Sequence, residues 1–180
     1  MFLFNNCTQN SDNNIQLEEP TSIALEANKA MEQLQWGNYA NLLHPESLEY
    51  FKEMLMAGIK VEAEKVKADS LTLFGKNYAI GTFRETPNQQ FFTDMMNRIF
   101  EISPELSATF KSMKNNYIGS VPDGDSLVHV LVRTSMKIGA KEIDEMNVLS
   151  LAKDQEQWKL KISTKIEGIG MIIKQNLRLK

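Results

Sequence analysis

Cysteine is almost absent from this sequence: the single one, Cys7, can form no internal disulfide and rules out a cysteine-based metal site. Histidine is nearly as scarce. His44 and His129 are the only two, and they form no pair at helical or strand spacing that would organise a metal centre. No apolar run approaches the ~18 residues needed to span a bilayer. Neither sign of charge dominates, since 20 Lys and Arg against 23 Asp and Glu leave a formal net charge of −3. That balance gives no general attraction to nucleic acid or to anionic lipid. No serine lies in a nucleophile elbow, no cofactor box is visible, and neither a metal nor a cofactor is expected.

The remaining composition is that of an ordinary globular chain: 180 residues, 42% hydrophobic and 24% charged. A chain of that length buries roughly 70% of the surface it exposes unfolded, so one domain over residues 20–180 suffices. Charge is unevenly spread, with ten basic and six acidic residues from Ser126 to Lys180 against three and eight in residues 1–60. Lys-bearing sheet faces opposed to acidic helices account for this asymmetry.

Residues 1–19 read as a flexible polar tether. The opening MFLFNNCTQNSDNNIQ has a short apolar start, a Cys and a polar stretch, with no basic residue before Lys29. It resembles the junction of a bacterial lipoprotein, which makes Cys7 a lipidation candidate. Against that, the segment has no basic n-region, is short for an h-region, and carries Asn5 and Asn6 where small residues are expected. A lipid-tethered extracytoplasmic protein and a cytoplasmic one with a frayed N-terminus are both open.

After the tether, Pro20-Thr21-Ser22 opens a helix over 21–36, with Ile23, Ala27, Ala30 and Leu34 at helical spacing. A break at Gly37, a short helical turn through Leu43 and a restart near Pro45 follow, with Leu48, Phe51 and Leu55 on one face. Residues 58–85 suit either a continued helix or a strand. Thr86-Pro87 starts a helix with Phe92, Met95, Met96 and Ile99 inward. Ser103-Pro104-Glu105 starts another, with Ser as N-cap, Pro at the first position and an acid in the first turn.

From Asn116 the period becomes two. Val128, Val130, Val132, Thr134 and Met136 share one face of a strand, and Leu127, His129, Leu131, Arg133 and Ser135 the other. VPDGDS before it has turn chemistry. Short joins carry the chain into strands at Glu142–Ala152 and Trp158–Ser163, antiparallel to one another. Ile166, Ile169, Ile173 and Leu177 suggest an imperfect C-terminal helix. Helices first and hairpin-linked strands after predict an α+β fold, N-terminal helices packed on a curved antiparallel sheet.

Trp36-Gly37-Asn38 with LLHPESLEYFK, followed by DSLVHVLVRTSMKIGAKEIDEMNVLSLAKDQEQWKLKIS, resembles bacterial members of the NTF2-like superfamily, the cystatin-like α+β cones. The HVVYR-like strand of such chains reads His129-Val130-Leu131-Val132-Arg133 here. The likeness covers residues 20 to about 166. It implies the cone fold, in a superfamily that holds isomerases, epoxide hydrolases and cyclases beside non-catalytic binding domains.

An isomerase of that kind needs a carboxylate base near a carbonyl, with a Tyr and a protonated acid as donors. Tyr39, Glu46 and Tyr50 lie on the helical layer that could reach such a pocket. No acid occupies a mid-sheet position facing them, because Asp144, Glu145, Asp154 and Glu156 lie near hairpin ends. His44 is expected to bond the chain break before Pro45. His129 and Arg133 are candidates for a ligand or subunit contact, with Trp158 on an adjacent strand as aromatic anchor. Non-catalytic binding of a small apolar ligand or protein partner is the leading expectation; catalysis in the cone and a homodimeric scaffold using the sheet face are the alternatives.

Overall fold

In the computed structural model, which describes residues 19–66, 70–73, 76–175 and 177–179, the chain forms an α+β fold with its helices on one face of a curved antiparallel sheet. Cys7 and the tether through Glu18 lie outside the described residues.

Three helices come first: α1 (Glu19–Glu32), α2 (Trp36–Leu42) and α3 (Pro45–Val66). α1 ends before the expected Trp36, because Leu34 takes a left-handed backbone with φ 55° and its N–H bonds the Met31 carbonyl at 3.0 Å. Gly37 is therefore not the break but part of α2. α3 starts at Pro45, where the missing N–H costs nothing. It runs to Val66, and a tight hairpin of β1 (Ser70–Leu73) and β2 (Lys76–Ala79) follows, then α4 (Ile80–Glu85). The ambiguous stretch 58–85 thus holds helix and strand in turn.

α5 (Asn88–Ile102) and α6 (Pro104–Lys111) begin after Pro87 and Ser103. Ser103 marks the start of α6 without its hydroxyl capping any N–H. Instead its carbonyl accepts from the Ser107 N–H at 3.0 Å.

The main sheet has the order β3-β4-β5-β6, all antiparallel, from β3 (Lys114–Pro122), β4 (Leu127–Ile138), β5 (Lys141–Asp154) and β6 (Gln157–Leu160). Gly124 and Gly139, at φ 69° and 61°, supply the left-handed positions that the two hairpins need. The β3–β4 register slips between Tyr117 and Gly119, a bulge that increases the local twist. β6 pairs only with Leu151–Asp154 of β5, and beyond it the chain keeps one bond, Lys161 N–H to Ser150 O at 2.8 Å. Residues 161–163, expected in the strand, leave the sheet to start α7 (Thr164–Gln175). Leu177, expected to continue that helix, opens β7 (Leu177–Leu179), which joins a small second sheet of order β2-β1-β7.

The five residues predicted to share the inner face of β4 are all buried. They meet Leu149, Leu151 and Leu160 from β5 and β6, and α1 lies across them on Ala24, Ala27 and Ala30, whose small side chains permit close approach. Behind α1 is an aromatic cluster. Trp36 lies 4.6 Å from Phe100, Phe100 4.8 Å from Phe110, and Phe92 4.9 Å from Phe51 and 6.0 Å from Tyr39, ring centre to ring centre. α7 passes close over α3 at Gly170, where a Cβ would lie 3.1 Å from the Phe51 ring and strike the Met54 methyl.

Candidate functional site

The residues singled out from sequence scatter over the fold. Tyr39 is fully buried among Trp36 and Phe92. Burial pushes its hydroxyl pKa well up, tempered by the neighbouring Ser163 hydroxyl. Neither of those two hydroxyls makes a hydrogen bond of normal geometry among the described residues. His44 is held at the α2–α3 junction, as expected: its N–H donates to Leu160 O at 2.8 Å, and its Nδ1 accepts from the Glu46 N–H at 3.3 Å. Tyr50 is 47% exposed on α3.

His129 lies on the outer face of the sheet, opposite the helices. Its Nδ1 is 2.9 Å from Ser150 Oγ, and its Nε2 is 3.7 Å from an Asp123 carboxylate oxygen. Arg133, four residues on and on the same face, is exposed. Trp158 does not join them. It pairs with Lys153, whose ammonium sits 5.4 Å from the indole ring, and the alternation puts that pair on the side of Leu151, away from Ser150 and His129.

What the structure does bring together is a concavity of about 260 Å³ bounded by α1, the inner face of β4 and β5, and the start of α7. It opens past the edge of β5 that β6 leaves uncovered. Met31, Met113 and Leu149 form its apolar lining, with Met146 and Val148 of the outer sheet face at its rim; Asn28, Thr134, Asn147, Ser163, Thr164 and Lys165 form its polar one. A connected run of hydrogen bonds crosses this surface. Asn115 donates to Glu32 at 2.7 Å, Thr134 to Asn115 at 2.5 Å, and Asn147 to Thr134 at 2.9 Å and to Glu145 at 3.2 Å. Lys165 then pairs with Glu145. Partial burial would raise the Glu145 pKa, but hydrogen bonds from Lys165 and Asn147 and the Lys165 charge outweigh it, and the net shift is downward. Glu145 thus remains a committed carboxylate rather than a proton acceptor.

Two lining groups stand outside this network. Asn28 Nδ2 and Ser163 Oγ are buried without a hydrogen-bond partner among the described residues. Asn28 is 3% exposed and follows Ala24 and precedes Met31 on the core side of α1. Sequence reasoning missed it because the apolar stripe was phased on Ile23 and Leu34. A stripe phased on Ala24, Ala27 and Met31 would have exposed one polar intruder. Ser163 was read as the end of a strand.

Two other hollows each hold an engaged basic group. In a cleft of about 290 Å³ between α4 and α5, Arg98 pairs with Glu101 at 2.7 Å. In an open cleft of about 540 Å³ between α3 and α4, Lys52 donates to the carbonyls of Arg84 at 3.0 Å and Thr86 at 2.5 Å. A third, of about 370 Å³, lies between His129, Ser150 and residues 161–164 and meets the first concavity along Val148, Leu149, Ser163 and Thr164. Among the described residues no group of three or more His, Cys, Asp or Glu could hold a metal, and no helix is long and apolar enough to cross a membrane. No protein-family model matches this sequence, and no curated protein matches it.

Proposed function

We propose that the chain is an NTF2-like α+β cone that binds a small amphipathic ligand without transforming it, in the concavity between α1, the sheet and α7. The observation that carries this reading is a concavity of about 260 Å³ in which Met31, Met113 and Leu149 lie beside Asn28, Asn147 and Ser163, with Asn28 Nδ2 and Ser163 Oγ buried and without a hydrogen-bond partner among the described residues. Buried polar groups are nearly always partnered, and a concavity in which polar groups converge beside apolar side chains has the make-up of a ligand site. The family assignment rests on the helix pair at Trp36–Lys52 and the strand at His129–Arg133, set in a helix-on-curved-sheet architecture.

The isomerase-like alternative draws less support. Phe91, Phe92 and Met95 are buried, so the middle of the cone is filled rather than hollow. The Tyr39 hydroxyl has no carboxylate bonded to it among the described residues, and Glu145 is tied to Lys165. Calorimetric titration with acetophenone and 1-indanone is expected to show saturable one-to-one binding, with both compounds recovered chemically unchanged. Unsaturable uptake would remove the binding reading, and recovery of a new isomer or hydrate would move the assignment to catalysis.

One observation favours a homodimer through the sheet as a second reading. Val121, Met146 and Val148, from three points of the outer sheet, are 54%, 53% and 56% exposed. Leu127 and Leu131 lie half-buried between them. A self-complementary patch of this kind suits a two-fold contact, with His129 and Arg133 as its polar groups. Light scattering is expected to give twice the monomer mass, and Val148→Asp to give the monomer. A wild-type protein that stays monomeric at high concentration would dispose of the dimer and leave the ligand site untouched.

A further inference from the structure

Resting on the binding reading above, we infer that the occupant of the concavity is one side chain of an extended peptide, which adds to the sheet as a strand along the free edge of β5. The ladder of β5 decides which backbone groups are on offer. The Lys161 N–H donates to Ser150 O at 2.8 Å, so the backbone of Ser150 faces away from β4. Backbone groups alternate sides along an antiparallel strand, and Val148, Met146 and Asp144 therefore face the same way. Past Ser150 no described strand or backbone group pairs with that edge. An unpaired edge is a template for another chain. Backbone bonds along it give affinity, and hollows for alternate side chains give specificity.

Both hollows lie on this edge. The concavity of about 260 Å³ is lined by side chains from both faces of β5, Asn147 and Leu149 from the inner face and Met146 and Val148 from the outer. Only an uncovered edge lets one hollow reach both. The hollow of about 370 Å³ adjoins it on the outer face, where Leu127, Val148 and Ile162 supply apolar walls beside His129 and Lys161. A bound strand sends successive side chains to opposite faces, so one enters the concavity at Met31, Met113 and Leu149 while its neighbours lie in the outer hollow. Ser163 and Thr164 line both hollows and stand across from β5. A single strand, about 4.8 Å from β5, is backed there by those two residues, whereas a second copy of the chain would bring its own β4 and helices into the place they occupy.

The probe is the blocked heptapeptide acetyl-Lys-Thr-Val-Phe-Val-Thr-Lys-amide, whose Phe and valines point to opposite faces, titrated into ¹⁵N-labelled full-length protein. Hydrogen exchange at the Met146 and Val148 amides is expected to slow about tenfold once the site is about nine-tenths filled, while Asn147 and Leu149, which face β4, change little. The same peptide N-methylated at Phe and at the valine after it loses one N–H toward β5 in either register, and is expected to bind about tenfold more weakly. Val148→Pro removes an edge N–H at a place where proline is tolerated, and is expected to abolish the protection at Met146; the N-methylated peptide is the readout if that variant does not fold. Equal affinity for the two peptides, unchanged protection in Val148→Pro, or protection at Asn147 and Leu149 alone would overturn strand addition. Met146 and Val148 amides that slow with protein concentration, without peptide, would give the edge to a second copy and overturn the inference as well. Binding of acetophenone but not of the peptide would overturn the peptide inference and leave the concavity in place; failure of both would overturn the binding reading with it.

Discussion

Phe92→Ala is expected to destabilise the protein by about 3–5 kcal/mol, measured as a lower denaturation midpoint at unchanged slope. Phe92 is fully buried, and its ring packs against Phe51 at 4.9 Å and Tyr39 at 6.0 Å. It therefore joins α5 to both α2 and α3. Removing it leaves a void that cannot collapse, because Phe91, Met95 and Met96 beside it are themselves locked in the core. The loss is a large share of the roughly 5–15 kcal/mol that holds a typical domain together. A change below about 1 kcal/mol would mean that α5 does not fill the cone.

Val130→Asp is expected to be worse, and to reveal itself through pH. Val130 is fully buried at the centre of β4, between α1 and the sheet. A carboxyl there has no described cationic partner and is forced to stay protonated, so its folded pKa rises far above the unfolded value of about 3.9. Protonation alone costs about 4 kcal/mol at pH 7, and the lost burial of the valine adds to it. Since the folded state holds the proton that the unfolded state releases, stability should recover as pH falls toward 4 and decline again as pH rises. A variant as stable as the wild type at pH 7 would place residue 130 on a solvated face and reverse the sheet.

That second expectation shows where the sequence was most informative. Alternation along β4 is strict from Val128 to Met136, and one face is apolar throughout, so a one-residue slip would expose the whole set. The burial followed residue by residue. Pro45 and Pro104 were equally clear, because a fixed φ and a missing N–H leave the first helical turn as the natural place.

Other features had no local signal. The helix break at Leu34 uses a left-handed residue that is not glycine, so glycine chemistry points instead to Gly37, three residues later. The small sheet joins a hairpin near residue 75 to three residues at the far C-terminus, a pairing that no local pattern encodes. Trp158 was expected beside His129 and Arg133 from its place on a neighbouring strand, but its pairing with Lys153 puts it on the other face.

The candidate site was the least legible part. Tyr39 drew notice as a hydroxyl on the helical layer, yet its neighbours Trp36 and Phe92 close over it. Asn28 and Ser163 matter only because α1 and the start of α7 converge over β5, a meeting of segments 135 residues apart, as their numbers show. Chemistry that arises from such convergence becomes visible only once the chain is folded.

The account is most directly tested by the methyl signals of the methionines, labelled with ¹³C and observed while acetophenone is added. Binding under α1 predicts that Met31 and Met113 move together, while Met95 in the α4–α5 cleft and Met56 in the α3–α4 cleft stay still. Movement of Met95 or Met56 with the first two unchanged would contradict it.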